Sequence, residues 1–130
     1  MRPVARQTDL VIKKSNDETI VYDLNTNHAL YLNEISGVIW KLCDGQRNVD
    51  DIRQVLNVDF GKRVSSDFIL FAIYQLRKDN LLSGSDDIDN YLKKYWGRRT
   101  IKKFGFGIMH ALAQPKIKTV TAPTAIVASC

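Results

Sequence analysis

Three short runs of apolar and β-branched residues, separated by polar clusters, occupy the N-terminal part of the chain. The runs are Leu10-Val11-Ile12, Thr19-Ile20-Val21-Tyr22 and Ala29-Leu30-Tyr31-Leu32. Their residue types favour β-strands, and the clusters between them, at 15–18 and 25–27, hold the Ser, Asn and Asp residues that are typical of tight turns. The pattern predicts a three-stranded antiparallel meander.

After Asn33 the apolar residues recur every third or fourth position, which indicates helices. Asn33 is the expected N-cap of the first helix, and the pair Asp44-Gly45 supplies a left-handed stop at its end. A second helix is predicted to begin after Asn48. A third is predicted from a cap at Ser65 or Ser66 to about residue 79.

The helices are expected to bury one apolar stripe each. The predicted core positions are Ile35, Val38, Ile39 and Leu42 in the first helix, Val49, Ile52, Val55 and Leu56 in the second, and Ile69, Ala72, Ile73 and Leu76 in the third. The order of elements predicts an α+β domain in which a three-stranded antiparallel sheet is followed by three helices.

The charges are distributed unevenly along the chain. Residues 1–90 contain 11 Lys and Arg and 14 Asp and Glu, whereas residues 91–130 contain 8 Lys and Arg and no acid. The net charge of +5 therefore belongs to the C-terminal part. Because nucleic-acid binding depends on clustered Lys and Arg, the basic pI does not mark the folded part as a nucleic-acid binder. We expect a domain at 8–90 and a basic, partly disordered tail at 91–130.

The residue types needed for catalysis, metal binding and redox chemistry are sparse. The chain has two histidines, His28 and His110, two distant cysteines, Cys43 and Cys130, and no Cys-x-x-Cys, His-x-x-x-His or Gly-x-Gly-x-x-Gly pattern. We therefore expect no enzyme activity, no cofactor, no metal site and no disulfide framework. The N-terminus lacks an apolar signal region, and no apolar run is long enough to span a bilayer, so a cytoplasmic location is expected.

Three short motifs resemble a known family. They are Tyr31-Leu32-Asn33-Glu34, Leu42-Cys43-Asp44-Gly45 and Val49-Asp50-Asp51-Ile52. Their order and spacing resemble the PqqD family, also called RiPP recognition elements, over roughly residues 9–84. The resemblance implies a winged-helix-like domain without catalytic activity. Such a domain binds the leader segment of a ribosomally made precursor peptide and presents it to a modifying enzyme, often a radical SAM enzyme.

The resemblance places the bound peptide between the third strand and the third helix. An exposed strand edge offers unpaired N–H and C=O groups, so an extended peptide can bind by adding a strand. The expected contacts are His28, Ala29, Leu30, Tyr31 and Leu32 on the strand and Phe68, Phe71, Gln75 and Asp79 on the helix. Phe68 and Phe71 equally fit a wider core face, and both alternatives stay open at this point.

A winged-helix DNA-binding regulator is the alternative function. Its recognition helix would need cations or amides toward the bases, but the third helix has no cation before Arg77, so no specific nucleic-acid partner is expected. For the tail three interpretations remain. It is a basic extension without a role, a surface for an acidic partner or an anionic membrane, or a substrate-like segment carrying Thr, Ser and Cys. Exposed strand edges leave dimerisation open.

Overall fold

The computed structural model describes residues 1–61, 63–84, 87–94 and 117–121. The chain divides into two compact units. The first, the sheet unit, comprises Gln7–Val38 with Pro115–Cys130, and the second, the helical unit, comprises Met1–Arg6 with Ile39–Gln114. In chain order the elements are β1 (Val4–Ala5), β2 (Leu10–Ser15), β3 (Glu18–Asp23), β4 (His28–Leu32), α1 (Glu34–Leu42), α2 (Val49–Asp59), α3 (Ser66–Lys78), β5 (Leu82–Ser83) and β6 (Ile117–Thr121).

The predicted α+β fold is confirmed, with the meander β2-β3-β4 preceding the three helices. Both hairpins are antiparallel: Ser15 pairs with Glu18 across a two-residue turn, and Asp23 pairs with His28. Asn16 has a positive φ of 54° in the first turn, a conformation that asparagine tolerates better than most residues. The turn chemistry read from the sequence therefore fixes the register of the meander.

One face of β3 is buried in the sheet unit. Thr19, Val21 and Asp23 alternate with more exposed residues along the strand, as expected when a sheet covers a core on one side. The start of α1 approaches this face closely, since a Cβ atom built on Gly37 would lie 2.8 Å from the Thr19 side-chain oxygen. Only glycine fits at position 37 without a shift of the helix or of Thr19.

The predicted helix caps are confirmed. The Asn33 side chain accepts a hydrogen bond from the Ser36 N–H at 2.9 Å, and the Ser65 hydroxyl oxygen accepts one from the Phe68 N–H at 3.1 Å. Asn48 and Asp51 form a reciprocal capping box, which satisfies two N–H groups that the helix itself leaves unpaired.

The core of the helical unit follows the predicted stripes of α2 and α3, except that Val55 of α2 is only half-buried. Its fully buried side chains include Ile52, Leu56, Ile69, Ile73 and Leu76. Residues 87–94 form a further helical segment, in which Ile88 and Leu92 are buried. An ion pair between Arg77 and Asp89 at 3.2 Å joins this segment to α3.

Candidate functional site

The strand β4, proposed from the sequence as the peptide-binding edge, is paired on both of its sides. One side pairs with β3, and the other pairs antiparallel with β6, in a register that runs from His28 opposite Thr121 to Leu32 opposite Ile117. The expectation of an unpaired edge is therefore wrong for this structure. The physical reason is that open N–H and C=O groups bind any suitable extended segment, and the chain supplies one from its own tail.

The sheet order β2-β3-β4-β6 leaves β2 at the opposite border. That strand carries Lys13 and Lys14, both exposed, and lysine on a border strand is a common protection against unwanted pairing. Within β4 there is no Lys, Arg, Asp, Glu or Pro. Of the two borders of the meander, β4 is thus the one whose sequence permits another strand to join.

The side chains of β4 differ in how far they reach solvent. Ala29, Leu30 and Leu32 are buried, whereas His28 is exposed and Tyr31 is half-buried. Main-chain groups of β4 therefore offer the pairing surface, and His28 and Tyr31 are the predicted strand residues with side chains available to a guest.

The four residues predicted on α3 do not share one environment. Phe68 is only 7% exposed and belongs to the core, whereas Phe71, Gln75 and Asp79 are half-buried. The Phe71 ring lies 6.5 Å from that of Tyr74, centroid to centroid. These three half-buried residues form what we call the α3 surface.

Two polar groups of the α3 surface are held partly away from water. The Gln75 side-chain oxygen is buried and has no hydrogen-bond partner within the described part of the chain. Burial raises the pKa of the Asp79 carboxyl, an effect that the neighbouring Lys78 partly opposes. An amide oxygen and a carboxylate in this state would gain from hydrogen-bond donors on a bound peptide.

The Leu42-Cys43-Asp44-Gly45 motif holds the N-terminal segment within the helical unit. The Ala5 N–H donates to the Cys43 carbonyl at 2.7 Å, and the Gly45 N–H donates to the Pro3 carbonyl at 3.0 Å. Gly45 has a φ of +80°, and a Cβ atom there would lie 3.0 Å from a Val4 methyl group. Glycine therefore serves both the helix end and the close passage of β1.

Two flanking side chains complete this structural role. The Trp40 indole N–H donates to the Leu81 carbonyl at 2.9 Å, next to the segment that continues into β5. Cys43 is buried, and its thiol contacts the Ile39 carbonyl at 3.2 Å. Burial, with a smaller contribution from the Asp44 charge, raises the pKa of this thiol to about 12, so it stays protonated and is a poor nucleophile.

The buried thiol predicts a specific dependence of stability on pH. Below pH 9.0, the ordinary pKa of a cysteine thiol, the Cys43 thiol keeps its proton in both the folded and the unfolded chain. Between pH 9.0 and the folded-state pKa of about 12, only the unfolded chain releases this proton. Unfolding is therefore favoured as pH rises, by up to about 1.4 kcal/mol per pH unit. Urea unfolding at pH 8 and pH 11 should show wild type losing more stability than Cys43→Ala. Equal losses in the two proteins would contradict this.

Other kinds of site lack support in the part of the chain that the structure describes. Over residues 1–61, 63–84, 87–94 and 117–121, no group of three or more His, Cys, Asp or Glu side chains is placed to hold a metal ion. In the same residues no helix combines the length and apolar character needed to cross a membrane.

The sequence reasoning missed β6 as part of the site. Its residues Ile117, Thr119, Val120 and Thr121 are β-branched, which favours a strand. That signal was available, but it does not identify the strand with which the segment pairs. Within the tail predicted at 91–130, residues 91–94 are helical and 117–121 form β6, and the other predictions for the tail fall on residues outside the described part.

Residues 18–71 match the family model described as Coenzyme PQQ synthesis protein D (PqqD). The matched segment begins at β3 and ends within α3, so it contains β4 and the Leu42-Cys43-Asp44-Gly45 motif. No curated protein and no solved structure matches the chain.

Proposed function

Because residues 18–71 match the PqqD family model, we propose that this chain is a non-catalytic chaperone for a ribosomally made precursor peptide. The leader segment of the precursor binds β4 as an added antiparallel strand. The chain then presents the precursor to a modifying enzyme, of which the radical SAM class is the example that the family resemblance implies. We place this activity in the cytoplasm.

The observation that best supports this proposal is the five-residue ladder between β4 and β6. The side of β4 that faces away from β3 is occupied by the extended segment β6, which pairs over the full length of the strand without a bulge in the register. Main-chain hydrogen bonds in such a ladder each contribute about 0.5 to 1.5 kcal/mol net. They do not depend strongly on the guest sequence, so selectivity falls to side chains such as His28 and Tyr31.

The α3 surface is a second proposed contact for the guest. Phe71 offers an apolar ring, Gln75 an unpaired amide oxygen and Asp79 a carboxylate. These groups suit a peptide that has both apolar and basic side chains.

The DNA-binding alternative gains no support from α3. Of the cations in its last turn, Arg77 is paired with Asp89, and only Lys78 is exposed. The segment Ser66–Leu76 contains no cation at all, which leaves little on this helix to contact phosphates or bases.

The proposal is tested by titrating the ¹⁵N-labelled chain with each synthetic short peptide encoded beside its gene. We expect amide shifts concentrated in His28–Leu32 for one of these peptides. Tyr31→Asp should weaken that binding roughly ten-fold, a loss of about 1.4 kcal/mol, because it replaces a half-buried aromatic ring with a charge.

The matched control is Ile12→Asp, which places the same charge on β2, at the other border of the sheet. Ile12 is 52% exposed and Tyr31 is half-buried, so both variants should stay folded. The Ile12→Asp control should bind the peptide as wild type does. If no encoded peptide moves these amides, or if both variants bind like wild type, the proposal is wrong.

A further inference from the structure

The strand β6 comes from outside the domain that it completes. Residues 117–121 lie beyond the family match at 18–71, yet all five pair with β4, the strand assigned to the guest. A single strand edge holds only one partner at a time. Intramolecular pairing and guest binding at β4 are therefore mutually exclusive.

The chain gives β6 the features of a partner that can leave. It is five residues long and sits at the border of the sheet, so it is paired on one side only. The sequence places Pro115 and Pro123 close to its two ends. Proline has no N–H to donate to a neighbouring strand, so neither residue can extend the ladder as a hydrogen-bond donor.

The covalent connection makes this weak strand an effective competitor. A tethered segment acts at an effective concentration that reaches about the millimolar range for flexible connections. A free peptide must exceed that concentration or pair more favourably with β4.

From these observations we propose that residues 117–121 are a tethered competitor, which occupies β4 until a precursor peptide displaces it. This inference rests on the proposed function, since it takes β4 to be the guest strand. It adds that a guest must compete for β4 with the extended segment Ile-Lys-Thr-Val-Thr of the same chain. Peptides that pair less well than this segment are excluded.

The test uses the full chain and a probe taken from its own sequence. The probe is a fluorescein-labelled peptide with the sequence of residues 114–123. In the variant Thr119→Pro/Val120→Pro two successive N–H groups are lost. Because neighbouring N–H groups of a strand point in opposite directions, one of the two must face β4. The matched control, Thr119→Ala/Val120→Ala, keeps both N–H groups.

Fluorescence anisotropy should show the probe binding the proline variant roughly ten-fold or more tightly than it binds the natural chain, a change set by removal of the tethered competitor. The alanine control should resemble the natural chain. Equal affinity for all three proteins, or no binding to a proline variant whose amide spectrum shows a folded domain, would overturn the inference.

Amide hydrogen exchange on the unsubstituted chain gives a second test that does not need the proline variant to fold. Release of β6 exposes the β4 amides that face it, while those facing β3 stay paired. We expect the first set to exchange at least roughly ten-fold faster, through local opening. If both sets exchange at one common rate, β6 is a permanent strand of the domain and the inference fails.

The precursor measurement separates this inference from the proposed function. A precursor that binds the natural chain and the proline variant with equal affinity would overturn the competitor and leave the chaperone function intact. If no precursor binds while the labelled probe still prefers the proline variant, the chaperone function fails and occupancy of β4 by the tail stands.

Discussion

Phe68→Asp should unfold the protein. Phe68 is 7% exposed and lies on the buried face of α3, and a carboxylate placed there loses its hydration without gaining a partner. The expected cost is at least several kcal/mol, against a total stability of about 5 to 15 kcal/mol for an ordinary domain. Loss of near-ultraviolet circular dichroism and of amide dispersion at 25 °C would register the effect.

Phe71→Asp is the matched substitution three residues along the same helix. Phe71 is half-buried, so the new carboxylate keeps much of its hydration and the fold should persist. As part of the α3 surface, however, the variant should bind the precursor peptide roughly ten-fold more weakly. If Phe71→Asp also unfolds the chain, Phe71 is a core residue and the α3 surface is wrongly defined.

Leu56→Ala should lower the free energy of unfolding by about 2 to 5 kcal/mol, because it removes buried methyl groups and leaves a cavity. Leu56 is 1% exposed, whereas Val58, two residues away on α2, is 79% exposed. Val58→Ala serves as the control. It removes a side chain that buries little, and it gains slightly in helix propensity.

Urea denaturation of both variants, compared at equal m-value, measures the difference. The control should stay within about 0.5 kcal/mol of wild type. If Val58→Ala is as destabilising as Leu56→Ala, Val58 is buried in solution and the assigned core face of α2 is wrong.

The helices and the meander were predictable because their signals are local. The Asn48 and Asp51 capping box lies within four consecutive residues, and the turn residues between strands set the hairpins. Phe68 shows the limit of this reasoning. It stands four residues before Ala72 and eight before Leu76, so it extends the buried stripe of α3, but spacing alone does not give the width of a buried face.

The non-local pairs were not predictable in the same way. β1 and β5 are far apart in the sequence, since Ala5 pairs with Leu82. Each strand has only two residues, and a two-residue run has no periodicity to detect. The tail hid β6 for a different reason. Its nearby Gly, Pro and basic residues indicated weak order, while the strand-forming residues 117–121 gave no indication of their partner.

For the candidate site, the sequence led to the proposal of contacts on β4 and α3, but it did not predict how far each side chain is buried. The predicted strand addition at β4 uses main-chain N–H and C=O groups, which do not depend on the side chains of the strand. Whether Leu30 is buried or Tyr31 is half-exposed depends on packing that one strand does not encode.

The lack of charge on β4 has a practical consequence for anyone who shortens this protein to the segment that matches the family model. A fragment ending before residue 117 would present five main-chain units with neither lysine nor proline to discourage contact with other molecules. Such a fragment should be less soluble than the full chain and should aggregate at high protein concentration. By pairing with β4, the strand β6 should therefore also limit aggregation of the protein during production and storage.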